Sequence, residues 1–256
     1  MLARHESTLD EIASILSKAQ SVLFITGAGV SADSGVPTYR GIGGLYNVDT
    51  TEDGYAIEEC LSAEMFARRP ELTWKYLAQI GKAAQGARYN RAHEVMALLE
   101  DKLPRVWTLT QNVDGFHRSA GSKNLLEVHG NMHLFKCTKC SWKTRVTDFD
   151  NMELPPMCPR CGKMVRPKVV LFGEMLMGYA IDEMQRQLEA GSDVVFSVGT
   201  SSVFPYIQAP VLAAKRNGSP TIEINPCETT LSEVVDYRLD MGASDAMDAI
   251  WNRLTI

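Results

Sequence analysis

Four of the six cysteines form two Cys-x2-Cys pairs, Cys137 with Cys140 and Cys158 with Cys161, separated by 17 residues. The lysine, threonine, proline, arginine and glycine residues around them are typical of the polar turns that hold zinc. In a chain without an export signal, this spacing predicts a tetrahedral zinc site rather than two disulfides. Because thiolates fill all four ligand positions, the predicted zinc is structural and leaves no place for a catalytic water.

A glycine-rich turn follows the apolar run Val22–Ile25. Gly27 and Gly29 allow the backbone to turn sharply and to approach a ligand closely, and a helix that begins there would favour a phosphate. The turn departs from the G-x-G-x-x-G fingerprint because Ala32 occupies the third glycine position, and many similar turns serve only structure. The sequence therefore predicts a pyrophosphate site that is not an ordinary dehydrogenase fingerprint.

Three further apolar runs also end in small or polar residues. They end in Gln111-Asn112-Val113-Asp114, in Gly199-Thr200-Ser201-Ser202 and in Asn225-Pro226. The carboxyl ends of parallel strands meet at one edge of a sheet, so the four sets together indicate a long ligand such as a dinucleotide. Glycines and hydroxyls suit phosphates, and Asn225 suits a ribose hydroxyl. Taken alone, residues 111–115 could equally be an Asn/Asp/Gly turn that needs no ligand.

These residues require a framework of alternating strands and helices. Apolar runs predict strands at Val22–Ile25, Val106–Thr110, Leu125–Val128, Val194–Val198 and Thr221–Ile224. Helix signals include a capping box that begins at Thr8, a proline start at Pro70, and amphipathic segments at Asp182–Leu188 and Asp245–Leu254. The alternation predicts an α/β fold with a doubly wound parallel sheet and right-handed crossovers, interrupted by the zinc module.

Composition limits the possible functions. The 256 residues carry a net charge of −5 with a pI near 5.6, which argues against nucleic acid as a partner and would suit a basic peptide. The sequence has neither an apolar run of membrane-spanning length nor a basic-then-apolar leader, so we expect a cytoplasmic protein with no membrane partner. Cys60 and Cys227 are predicted to be small buried hydrophobic residues.

Together, these motifs resemble those of the sirtuin family of NAD-dependent protein deacylases. The similarity covers nearly the whole chain in the family's order, and it includes Gly27-Ala28-Gly29-Val30-Ser31, Gly35–Gly41, Gln111-Asn112-Val113-Asp114, His129-Gly130, the four cysteines, Phe172-Gly173-Glu174, Gly199-Thr200-Ser201 and Asn225-Pro226. The resemblance implies NAD as co-substrate, one structural zinc, and an acyl-lysine protein or peptide as partner. The implied products are the free lysine, nicotinamide and O-acyl-ADP-ribose.

The resemblance also implies a division into domains. A Rossmann-like NAD-binding domain would comprise residues 1–42, 89–131 and 168–256. A small domain would combine a helical module, residues 43–88, with the zinc module, residues 132–167. NAD and the acyl-lysine would meet in the cleft between the two domains.

Roles for individual residues follow from the same resemblance. His129 would be the general base acting on a ribose hydroxyl, with Asn112 beside it, and a pKa near ~6.5 suits imidazole to this task. The implied cofactor contacts are Gly27, Ala28, Gly29, Ser31, Tyr39, Arg40, Gln111, Asn112, Asp114, Gly199, Thr200, Ser201 and Asn225. Phe172 would line the acyl-lysine tunnel, and the substrate backbone would pair with the strand that carries Val170, Gly173 and Glu174.

Two departures from the family pattern bear on specificity. Tyr39 stands where phenylalanine usually precedes the loop arginine, and Tyr76-Leu77-Ala78-Gln79 ends in glutamine where succinyl- and malonyl-specific members carry arginine. A carboxylate in an apolar tunnel without a guanidinium would be costly, so neutral acyl groups are predicted.

Other functions remain open at this level. They are transfer of ADP-ribose to protein, removal of longer or unusual acyl groups, and a non-enzymatic module that senses NAD. A zinc hydrolase is disfavoured because four thiolates close the metal site.

Overall fold

The computed structural model describes residues 2–38 and 50–255. Its strands are β1 (Ser21–Thr26), β2 (Arg105–Thr110), β3 (Leu125–Glu127), β4 (Gly130–Cys137), β5 (Lys143–Arg145), β6 (Val165–Val169), β7 (Val194–Val198), β8 (Thr221–Ile224) and β9 (Tyr237–Leu239). Its α-helices are α1 (Glu6–Lys18), α2 (Ala28–Ala32), α3 (Ile57–Cys60), α4 (Ala63–Arg68), α5 (Pro70–Ala84), α6 (Arg91–Leu99), α7 (Phe116–Ser119), α8 (Gly178–Ala190), α9 (Pro205–Arg216) and α10 (Ala243–Trp251). Within the described residues, no helix is both long and apolar enough to cross a membrane.

Six strands form one sheet in the order β3-β2-β1-β7-β8-β9, and each neighbouring pair is parallel. The central strands are nearly continuous runs of Val, Ile, Leu and Phe, buried along almost their whole length. Such runs form strands that are covered on both faces, because each side chain finds an apolar layer whichever way it points. The predicted doubly wound sheet is therefore confirmed.

Alternate residues of β1 supply the two cores on either side of this sheet. Phe24 faces the core built with α1, α6 and α10, where its ring centroid lies 4.9 Å from that of Phe196. Leu23 and Ile25 face the opposite core, which α8 and α9 cover. Helices thus protect both faces and leave the strand ends to carry polar residues.

The remaining strands form an antiparallel sheet in the order β5-β4-β6. It shares one buried cluster with α3, α4 and α5, in which the Trp74 ring lies 5.4 Å from that of Phe135. The indole N–H of Trp74 donates to the carbonyl of Val165 on β6 at 3.1 Å. Helices α3, α4 and α5 and the cysteine-bearing sheet are consequently one packed unit.

Several details differ from the sequence predictions. The capping box expected at Thr8 is absent because α1 already begins at Glu6, so Thr8 lies inside the helix. Strand β9 lacks a strong apolar run and was not predicted; it pairs only at the sheet edge. Cys60 is buried as expected, whereas Cys227 is exposed, because it follows β8 in a surface turn where its N–H donates to Asn225.

Candidate active site

The carboxyl ends of β1 and β2 are joined by a chain of side-chain hydrogen bonds. Asn112 donates from Nδ2 to the Gly27 carbonyl at 3.0 Å and to Ser31 Oγ at 3.1 Å. Ser31 in turn donates to Asp114 Oδ2 at 2.7 Å. Burial raises the pKa of Asp114, while the Phe116 N–H and the Ser31 hydroxyl hold its carboxylate in place. The two strand ends therefore form one fixed polar unit.

A second group of contacts joins β2, β7 and β8. Gln111 donates from Nε2 to Thr200 Oγ1 at 2.8 Å, and Asn225 donates from Nδ2 to the Thr200 carbonyl at 3.1 Å. Thr200 is buried, Gln111 and Asn225 are half-buried, and Ser201 is exposed. All four predicted strand ends thus converge on one edge. Amides and hydroxyls arranged there are the donor chemistry that suits ribose and phosphate groups.

Close packing between the turns after β1 and β7 requires the glycines of the first turn, independently of any ligand. A Cβ on Gly29 would lie 2.7 Å from the Cα of Gly199, and one on Gly27 would lie 2.7 Å from the Cβ of Thr200. Gly199 itself has a φ of +60°, and its own Cβ would lie 2.4 Å from the Val30 nitrogen. The turns after β1 and β7 pack backbone against backbone, so larger side chains would force the edge apart.

His129 lies between β3 and β4, beside the same edge. Its Nδ1 is 3.0 Å from the carbonyl oxygen of Gln111, and its Nε2 is 2.7 Å from the hydroxyl of Tyr206. A carbonyl can only accept, so Nδ1 carries the proton and Nε2 offers its lone pair. Burial lowers the pKa of His129, opposed by the Gln111 carbonyl, and this favours a neutral imidazole that can accept a proton.

The segment after β6 connects His129 to the helical region. Val170 donates its N–H to the His129 carbonyl at 2.9 Å, and Phe172 pairs by its backbone with the segment between α3 and α4. Gly173 has a φ of +81° and turns the chain. Glu174 binds Arg166 at 2.7 Å, which lowers its pKa against the opposing effect of burial. Phe172, which directly precedes Gly173 in this segment, is 38% exposed.

Tyr76 and Gln79 do not share a buried face of α5. Tyr76 is buried, and its hydroxyl donates to Asp53 Oδ2 at 2.6 Å, whereas Gln79 is exposed. Helix α5 contains no arginine, and its two lysines both face carboxylates. Lys75 lies 2.6 Å from Asp53 and 2.7 Å from Glu52, while Lys82 lies 3.6 Å from Asp150.

The four predicted zinc ligands come together. All four Sγ atoms lie within 4.8 Å of one another, with 3.5 Å between Cys137 and Cys161 and 3.7 Å between Cys140 and Cys158. A tetrahedral site with Zn–S bonds of about 2.3 Å has edges of roughly 3.8 Å, so both of these separations are close to the spacing that zinc requires. Backbone N–H groups of Cys140 and Lys139 donate to Cys137 and lower its thiol pKa to about 6.

Two predicted cofactor contacts, Tyr39 and Arg40, lie outside the described residues. One contact of His129 was missed by sequence reasoning, namely Tyr206 in the first turn of α9. Its position could have indicated this contact. Tyr206 follows the polar residues at the end of β7 and is next to Pro205, which begins α9.

The fold and site define an α/β protein with a dinucleotide-type strand edge and a zinc module set between its strands. The Sir2 family model matches residues 27–205. NAD-dependent protein deacylase 2 of Pseudomonas aeruginosa is 48% identical over 95% of this chain and 96% of the relative. A Sir2 homologue solved with NAD superimposes with a TM-score of 0.83 at 36% identity, covering 95% of this chain and 93% of that one. Sir2 solved with a p53 peptide and NAD+ gives 0.80 at 27% identity, with coverages of 94% and 96%. The chain belongs to the Sir2 family, as its motifs predicted.

Proposed function

We propose that this Sir2-family chain is an NAD-dependent protein-lysine deacylase, most simply a deacetylase. The observation that carries the proposal is His129, a half-buried histidine beside the strand edge whose Nδ1 binds the Gln111 carbonyl and whose Nε2 carries the lone pair. The related deacylase and the NAD-bound and peptide-bound Sir2 structures support the same activity. The products would be the free lysine, nicotinamide and O-acyl-ADP-ribose.

The residues at the strand ends would hold the co-substrate. Those proposed to do so are Gly27, Ala28, Gly29, Ser31, Gln111, Asn112, Asp114, Gly199, Thr200, Ser201 and Asn225, together with Tyr39 and Arg40. NAD, when bound, would supply the electrophilic ribose carbon from which nicotinamide leaves. The hydrogen bonds among Asn112, Ser31 and Asp114 fix these donors before binding, which limits the ordering needed to form the complex.

His129 would act as the base from Nε2. The Gln111 carbonyl keeps the proton on Nδ1, so the lone pair lies on Nε2, the nitrogen that would accept the proton of a ribose hydroxyl. Burial of the imidazole favours the neutral form at neutral pH. The carbonyl also stabilises the imidazolium that results, because Nδ1–H donates to it more strongly once the ring is charged.

The lysine-bearing peptide is proposed to lie along residues 170–174. Phe172 would line the acyl tunnel, and the backbone near Val170 and Gly173 would pair with the peptide. Glu174 braces this turn through Arg166. Because α5 has no arginine and its lysines are paired, the tunnel is expected to prefer neutral acyl groups over succinyl or malonyl groups.

The proposed domain division is supported by the separate hydrophobic cores. Residues 1–42, 89–131 and 168–256 would form the NAD-binding domain, and the two cores of the parallel sheet lie within it. The helical module 43–88 and the zinc module 132–167 would form the small domain around the cluster that contains Trp74 and Phe135. Zinc would have a structural role in this small domain.

An acetyl-lysine peptide incubated with and without NAD tests the function. Mass spectrometry of the peptide and quantification of nicotinamide are expected to show equimolar loss of acetyl and release of nicotinamide, both dependent on NAD. A succinyl-lysine peptide of the same sequence is the specificity control and is expected to react far more slowly. Deacylation without NAD, or no reaction with any neutral acyl group, would contradict the proposal.

A further inference from the structure

The hydroxyl of Tyr206 occupies the lone pair that His129 would use as a base. The two atoms are 2.7 Å apart, and the His129 and Tyr206 rings meet edge to face with centroids 6.2 Å apart. Since Nδ1 carries the proton, the tyrosine must donate and Nε2 must accept. The base is therefore already hydrogen-bonded before any ligand arrives.

Two features fix the tyrosine in this position. Pro205 begins α9 immediately after the turn from β7, so Tyr206 lies in the first helical turn beside the strand edge. The Phe204 ring stacks on Tyr206 with centroids 5.5 Å apart and an angle of 19° between the planes. Phe204 also meets His129 edge to face at 6.3 Å. The Phe204 and Tyr206 rings thus both contact the imidazole, while the Gln111 carbonyl binds its Nδ1.

We propose that Tyr206 is a positioning residue for the base: its hydroxyl donates to His129 Nε2 in the free enzyme and is exchanged for the ribose hydroxyl when the co-substrate binds. This inference rests on the proposed role of His129. A single lone pair on Nε2 cannot accept both hydroxyls in good geometry, so one donor replaces the other. The exchange keeps the imidazole in its Nδ1–H form throughout.

Among residues 2–38 and 50–255, Tyr206 is the titratable group that hydrogen-bonds His129, and the nearby charged groups have other partners. From the β2 turn, Gln111 presents a neutral carbonyl, and the Asp114 carboxylate is bound to Ser31 and the Phe116 N–H. From the strand before His129, Glu127 is paired with Arg118 at 2.9 Å. From β6, the Lys168 ammonium lies over the Tyr179 ring. A donated hydrogen bond stabilises neutral imidazole, so its removal is expected to raise the His129 pKa.

Tyr206→Phe tests the proposal because it keeps the stacked ring and removes only the hydroxyl. In the ligand-free protein, NMR titration of the imidazoles is expected to show the His129 pKa raised by roughly half a unit or more. The His129 signal among the five histidines is identified by its loss in His129→Gln. Tyr237→Phe, which removes a hydroxyl from β9 at the far edge of the sheet, is the matched control and is expected to leave this titration unchanged.

Kinetics then show whether the hydrogen bond from Tyr206 to His129 is exchanged when NAD binds or persists in the complex. The acid limb of kcat/KM for NAD reports the free enzyme and is expected to move to higher pH in Tyr206→Phe by the same amount, whereas the limb of kcat is expected to stay in place. If Tyr206→Phe is active but its His129 titration is unshifted, the proposed role of Tyr206 is overturned and the proposed function is not. Equal shifts of both limbs would overturn the exchange. A wild-type protein that releases no nicotinamide would instead contradict the proposed function, and the exchange with it.

Discussion

At the residue scale, the reactivity of the site depends on which nitrogen of His129 is unprotonated. The Gln111 carbonyl at Nδ1 and the Tyr206 hydroxyl at Nε2 set the position of the proton, and burial of the ring favours its neutral form. None of them could be predicted from the histidine itself. The sequence predicted that His129 follows a strand, but hydrogen-bond partners distant in the chain exist only after the fold has formed.

His129→Ala is expected to lower kcat/KM by roughly 100-fold to 10,000-fold, the usual contribution of a general base. The melting temperature should change little, because the imidazole is only half-buried. His5→Gln, which alters a histidine bound to Asp240 just after β9, the edge strand opposite β3, is the control and should keep full activity. Steady-state kinetics with the acetyl-lysine peptide measure both variants. Full activity of His129→Ala would remove its assignment as the base.

The pH dependence has a defined sign. Burial lowers the pKa of His129, so the neutral base persists below the usual value of about 6.5. The acid limb of kcat/KM for NAD is therefore expected to have its midpoint below 6.5 in the wild-type enzyme. A midpoint clearly above that value would contradict the environment described for His129.

At the element scale, sequence patterns predicted the buried elements best. The bounds of β7 and β8 agree with the predicted apolar runs. Strand β9 and the true start of α1 were missed, because a short edge strand and a helix without a side-chain cap lack local signals. The glycines of the first turn were read as ligand contacts, whereas their tight packing against Gly199 became evident only from the neighbouring strand.

The zinc module offers a test with a matched cysteine. Cys158→Ser removes one of four clustered thiols and is expected to abolish zinc binding and lower the melting temperature, because β4 and β6 contribute to the core shared with α5. Cys227→Ser changes an exposed cysteine outside the cluster and should alter neither property. Metal analysis and thermal unfolding give the readouts. Zinc retained at full stoichiometry in Cys158→Ser would contradict the four-thiolate site.

The contact between α5 and the zinc module can be tested with glycines. In Gly81→Ala the new Cβ would lie 2.5 Å from the Phe149 ring, and we expect a loss of about 1–3 kcal/mol of unfolding free energy. Gly178→Ala, at the start of α8, has no atom within 4 Å of the new Cβ and should be neutral or slightly stabilising. Urea denaturation compares the two. Equal stabilities would show that α5 does not pack on Phe149 as described.

At the scale of the whole molecule, two buried histidines link stability to pH. Burial lowers the pKa of His93 to about 4 and that of His117 well below its usual value. Their rings lie 4.7 Å apart between α6 and α7, and His93 Nε2 and His117 Nδ1 are buried without a hydrogen-bond partner among the described residues. Protonating either ring inside the fold would leave an uncompensated charge.

The unfolding free energy is therefore expected to fall as pH drops from about 6.5 toward 4. Below 6.5 the unfolded chain binds protons that the folded chain excludes, and at pH 4 His93 alone accounts for up to about 3 kcal/mol. His93→Gln keeps a polar side chain but cannot titrate, so its stability should depend less steeply on pH in this window. Urea unfolding at several pH values measures the slope, and an unchanged slope would contradict the burial of neutral His93.

The polar edge of the parallel sheet and the cysteine cluster could be predicted because each depends on short motifs. The joint core of the helical and zinc modules could not, since Trp74, Phe135 and Phe149 are ordinary apolar residues far apart in sequence. Packing across separate segments depends on the whole fold, and no local pattern reports it.

The fate of the acyl group tests the central claim most directly. A peptide carrying a carbon-13-labelled acetyl-lysine is incubated with NAD, and the products are resolved by mass spectrometry. We expect the label on an ester of ADP-ribose, in equal amount with the nicotinamide and the free lysine. Label found only as free acetate with NAD intact, or retained on a peptide that has gained the mass of ADP-ribose, would contradict an NAD-dependent deacylase.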